Sequence, residues 1–163
     1  MKTKNLTLGS LFVTMIIILL YISSIIPTSK ITLLAVVSSI IPLTLVKTNT
    51  KTAILVYIAS SILSFFLVSK SIAIIYILFF GNYGLIKNFI EKFKNMFLEI
   101  FLKLLFFNSI LTICYFLYNN LLLSYFNIST PFIYIILLSQ VFFLIFDYAL
   151  TVIISFYIKK LIH

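Results

Sequence analysis

The chain of 163 residues has one cysteine, Cys114, one histidine, His163, no tryptophan and no arginine. A lone cysteine excludes an internal disulfide and any zinc site with two thiolate ligands. A lone histidine at the last position excludes a histidine pair for a metal and a buried Ser–His dyad, so no metal site is expected. No glycine-rich phosphate loop is present, so the chain is not expected to bind ATP. Without a nucleophile–base pair or a ligand cluster, no enzyme activity and no cofactor are expected. Acid is scarce too: Glu91, Glu99 and Asp147 face twelve lysines, for a net charge of +9. Charged residues make up 9% of the chain, where soluble domains carry about a quarter.

What fills the chain is apolar: 63% of its residues. These fall into long runs, each near the roughly 20 residues that cross a bilayer as a helix. Six spans are read, at about 6–26, 31–46, 53–68, 71–86, 96–118 and 132–158. The second is short and interrupted by Pro42; the sixth is long enough to tilt or protrude. The expected fold is an all-α integral membrane protein, a single domain over 1–163 forming a bundle of six transmembrane helices. That leaves no room for a sizeable domain outside the membrane.

Lysine placement sets the direction. With the N-terminus in the cytoplasm, Lys2, Lys4, Lys47, Lys51, Lys87, Lys92, Lys94, Lys159 and Lys160 fall inside, and only Lys30 and Lys70 outside. Nine against two is a strong positive-inside bias, so a cell-membrane protein with both termini cytoplasmic is expected. Lysines at helix ends facing anionic lipid do not form a phosphate-binding stripe, and no nucleic-acid partner is expected. Between the fourth and fifth spans, Leu85, Ile86, Phe89, Ile90, Phe93, Met96, Phe97 and Ile100 recur at three- and four-residue spacing. Lys87, Asn88, Glu91, Lys92, Lys94 and Asn95 fall between them. The pattern predicts an amphipathic helix with a basic face in the cytoplasmic interface.

A carboxylate at a helix centre costs about 2.5–3.5 kcal/mol on insertion scales, so it faces protein or water. Asp147 sits about 16 Å from the inner end of the sixth span, and Asn108 about 18 Å along the fifth, at 1.5 Å per residue. The two are expected at similar depth on neighbouring helices. Lys103 is shallower, with a stem long enough to bring its ammonium toward Asp147. Glu99 and Lys103, at i and i+4, stand in the favoured acid-before-base order. Two readings stay open: a ligand site, or packing glue held by Asn108, Lys103 or Gln140. Near the end of the fourth span, Gly81 and Gly84 permit close helix approach, and Tyr83 reads either as an interfacial anchor or as a ligand contact. The uncharged stretch from Asn119 to Pro131 reads as the longest outer loop. Asn119, Asn120 and Tyr125 there, with Tyr118 at the end of the fifth span, are candidate ligand-binding residues rimming an outward cavity, or the stretch is an ordinary polar loop.

The layout from Ile26-Pro27-Thr28-Ser29-Lys30 through Ile41-Pro42 to Ala53–Ser64 resembles the first three helices of the substrate-binding S components of energy-coupling factor transporters. The resemblance is one of topology and covers most of the chain. It implies capture of a small-molecule solute on the outer face, and partners in a transmembrane coupling subunit and ATPases that drive uptake. The chain is also similar in layout to small Gram-positive membrane proteins of unknown activity. A different class, a non-transporting envelope scaffold like the rod-shape-determining membrane proteins, fits the same length and hydropathy.

Overall fold

The computed structural model describes residues 3–26, 28–93, 95–121 and 132–162, with the backbone alone for 114–121, 132–136 and 160–162. The described residues are helical: α1 (Thr3–Ile25), α2 (Lys30–Lys47), α3 (Thr50–Leu67), α4 (Lys70–Ile75), a π turn (Tyr76–Phe80), α5 (Gly81–Ile90), a 3-10 turn (Glu91–Phe93), α6 (Met96–Leu121) and α7 (Phe132–Ile162). Six of the helical segments are long and apolar enough to cross a membrane, with α4, the two turns and α5 forming one of them, Lys70–Phe93. Two compact units are present: Met1–Phe89 with Val152–His163, and Ile90–Thr151.

The first unit is built on seams of small or aliphatic residues. On α1 the buried positions Gly9, Phe12, Ile16, Leu20 and Ser23 lie three or four residues apart, a stripe that keeps one face against its neighbours. On α3 the buried positions are Thr52, Val56, Ser60 and Ser64, one per turn, with Ala53 beside the first. Small groups at that spacing let helix backbones approach closely. Gly9 shows the approach directly, since a Cβ there would lie 3.1 Å from Thr52 Cγ2.

Pro42 does not end α2, which runs on to Lys47; the expected interruption is absent. In a lipid-facing protein a helix tolerates the lost amide when neighbours pack against the ring. Here α5 supplies that packing: a Cβ on Gly84 would sit 2.6 Å from Pro42 Cδ. The fourth span carries a π turn that the sequence reading did not contain. Tyr76 in that turn is fully buried, its hydroxyl 2.7 Å from Ser60 Oγ, and Tyr57 donates its hydroxyl to the Ile77 carbonyl at 2.9 Å. Tyr83 is a core residue rather than an interfacial anchor: it is fully buried and stacks on Phe79 with ring centroids 5.8 Å apart.

The amphipathic helix expected across 85–101 is broken. α5 stops at Ile90, a 3-10 turn covers Glu91–Phe93, and α6 begins at Met96. Lys87 is not on an exposed basic face; it is buried at 1% exposure. The helix period explains this, because the face that buries Tyr83 and Ile90 also carries position 87. Phe93, Met96 and Phe97 remain exposed.

Candidate functional site

The polar chemistry of the second unit lies along the seam between α6 and α7. On α6 the buried side is Lys103, Phe107 and Ile110; on α7 it is Phe143 and Leu150. The register is antiparallel: Lys103 meets Asp147, and four residues on, Phe107 meets Phe143. The two phenyl rings stack at 4.5 Å with 8° between their planes.

Lys103 is the hub. Its Nζ donates to Glu99 Oε1 at 2.7 Å and to Asp147 Oδ2 at 2.9 Å, and lies 3.5 Å from Glu91 Oε1. All three carboxylates of the chain therefore surround one ammonium, which is itself 5% exposed. The three side chains grade from Glu91 (38% exposed) through Glu99 (26%) to Asp147 (15%). Glu99 comes from the first turn of α6, Asp147 from mid-α7 and Glu91 from the 3-10 turn. The helix break at Glu91–Phe93 is what lets a residue twelve positions before Lys103 return to it. No helical spacing in the sequence announces that third partner.

Asn108 does not take the role that matched depth suggested. Its Nδ2 donates to the Leu104 carbonyl at 2.9 Å, and its Oδ1 accepts a long bond of 3.4 Å from Gln140 Nε2. Gln140 is two helical turns from Asp147 along α7, about 10 Å. Counting from Ile158 set that residue level with Met96, whereas the Lys103–Asp147 register sets position 154 opposite Met96 and position 142 opposite Asn108. The seam thus has a charged layer at Lys103, an aromatic layer at Phe107 and Phe143, and an amide layer at Asn108 and Gln140. Asn108 also borders an open groove of about 460 Å³ with Phe101, Leu104, Leu105, Ser109 and Thr112. The hydroxyls of Ser109 and Thr112 donate to carbonyls one turn back, which leaves their lone pairs as the groove's acceptors.

Of the other candidate residues, Tyr118, Asn119 and Asn120 fall within the backbone of α6, which runs three residues past the expected end at 118, and their side chains lie outside the described residues. Tyr125 lies outside the described residues altogether. Among the described residues no group of three His, Cys, Asp or Glu is arranged to hold a metal ion. The carboxylates gather around an ammonium instead. No family model, no curated protein and no solved structure matches the chain.

Proposed function

We propose that the chain is a multi-pass membrane protein with both termini cytoplasmic that captures a small solute from the outer side, working like a transporter S component with separate ATPase partners. One observation carries this reading: the α6–α7 seam keeps two polar layers, Lys103 with its carboxylates and Asn108 with Gln140, inside helices otherwise apolar enough to span a membrane. Such groups are expensive in hydrocarbon and mark solute or ion pathways. In this reading the charged layer closes the inner end of the seam. The amide layer and the Asn108 groove offer the solute hydrogen-bonding groups, and Tyr118, Asn119, Asn120 and Tyr125 rim the outer entrance. Direction follows from the nine-to-two lysine distribution.

The envelope-scaffold reading draws on a different observation, the open apolar surface of α6 and α7, where Leu105, Ile113, Leu138, Phe142 and Ile145 are exposed. Lipid or a partner helix can cover that surface equally well. Affinity purification from native membranes with quantitative mass spectrometry separates the two. Recovery of a membrane coupling subunit with ATPases is the expected result. Recovery of cell-shape proteins without any ATPase overturns the transporter reading in favour of the scaffold.

A further inference from the structure

A groove of about 340 Å³ opens between α1 and α3 in the first unit, bordered by Leu6, Gly9, Val13, Thr52, Leu55 and Ala59. From Leu6 to Val13 it follows α1 for about 10 Å, along the direction an acyl chain takes in a bilayer. It is mostly apolar, and it ends beside the first turn of α3. Three features of that end point to an anion.

The first is backbone. α3 starts at Thr50, its cap residue Asn49 makes no side-chain capping bond, and the earliest backbone bond into the helix is Ala53 N–H to Asn49 O at 3.0 Å. The amides of Thr50, Lys51 and Thr52 precede that bond and have no intrahelical acceptor, at the positive end of the helix dipole. The second is Thr52, 2% exposed, whose Oγ1 has no hydrogen-bond partner among the described residues. A buried hydroxyl left unpaired is costly, so an acceptor there is favoured. The third is charge. Lys51 is exposed one turn before Leu55, and the unit that holds the groove contains no Asp or Glu at all. Lys51 is therefore open to an anion from outside that unit.

We propose that this groove binds one anionic glycerophospholipid of the bilayer, its acyl chain along Gly9 and Val13 and its phosphate at the first turn of α3, on Lys51 and the Thr52 hydroxyl. Gly9 sets the close approach of α1 and α3 at the floor of the groove, since a Cβ there would lie 3.1 Å from Thr52 Cγ2 and 3.4 Å from Val56 Cγ2. The assignment rests on membrane residence but not on solute capture. It would make the lipid a fixed part of the α1–α3 face rather than passing solvent.

Native mass spectrometry of the full chain, delipidated in detergent and titrated with phosphatidylglycerol or phosphatidylcholine, tests it. One phosphatidylglycerol is expected to be retained about tenfold more tightly than phosphatidylcholine. Lys51→Gln and Thr52→Val should each weaken it about tenfold, whereas Lys70→Gln should leave it unchanged. Both test substitutions are near-isosteric, and an unchanged helical circular dichroism spectrum shows that the fold is kept. Equal retention of the two lipids, or full retention by both Lys51→Gln and Thr52→Val, overturns the proposal. Displacement of the lipid by chain-free glycerol 3-phosphate at equal affinity also overturns it, because the site would then read free phosphate. Alkaline extraction reports separately on residence: release into the supernatant sinks the membrane reading and the lipid site together, while retention without lipid preference sinks the site alone.

Discussion

Lys103 makes the plainest residue-scale case. Removing one member of a buried ionic group leaves the others uncompensated, at a cost of about 3–5 kcal/mol, whereas replacing the group with apolar or neutral residues is far milder. Lys103→Met is therefore expected to destabilise the chain by about 3 kcal/mol, read by denaturant titration of helical signal in detergent. Adding Asp147→Asn and Glu99→Gln to that variant should recover most of the loss. If the triple variant is as unstable as the single one, the lysine matters for its stem and not for its charge. The i, i+4 spacing of Glu99 and Lys103 is visible in the sequence, and the cost of a carboxylate in hydrocarbon directs attention to Asp147. Glu91 was hidden, because its approach depends on a helix break that periodicity ran straight through. Lys87 is hidden for a related reason: polarity assigns it to the outer face, while the buried face of α5 is set by position.

At the scale of elements, the fourth span is the one whose geometry departs most from a simple helix. The π turn at Tyr76–Phe80 is held by the Tyr57 hydroxyl on the Ile77 carbonyl and by the Ser60–Tyr76 pair. Tyr57→Phe should cost about 1 kcal/mol and speed hydrogen exchange of the amides in α4 and α5, with α1 unaffected. Equal exchange in wild type and variant would show that the turn holds without that bond. Gly84→Val should be worse, by about 1–3 kcal/mol in the same denaturant titration, because its Cβ meets the rigid ring of Pro42 and not a flexible side chain. The sequence contained both glycines and the proline, and small residues do signal close packing. Which helix they pack against is a property of the fold, so Pro42 looked like an interruption and turned out to be half of a contact.

For the whole molecule, the lysine distribution makes a prediction independent of any site. In a Cys114→Ser background, cysteine at position 70 is expected to react with a membrane-impermeant thiol reagent from outside, and cysteine at position 47 only after lysis. External labelling at position 47 would overturn the orientation. Span number and apolar character were legible because crossing a bilayer demands about 20 apolar residues whatever the protein does. The helix ends were less so, since hydropathy falls away gradually while hydrogen bonding carries α6 and α7 beyond the apolar runs. Ligand and partner are set by a few side chains that the same hydropathy does not constrain, and for that reason composition speaks far more clearly about residence than about chemistry.

The arrangement around Lys103 also has a consequence in time. Asp147 lies 44 residues downstream of it, and a ribosome adding about 5–20 residues per second makes that aspartate about 2–9 s after the lysine. Over that interval the lysine of α6 is already made and its partner residue on α7 is not. Glu99, four residues earlier on the same helix, has already been synthesised. The local acid is thus available to neutralise the cation before α7 is made, whereas the longer-range pair requires α7. Both carboxylates hold this lysine in the finished protein, but only Glu99 is at hand from the moment the lysine is made.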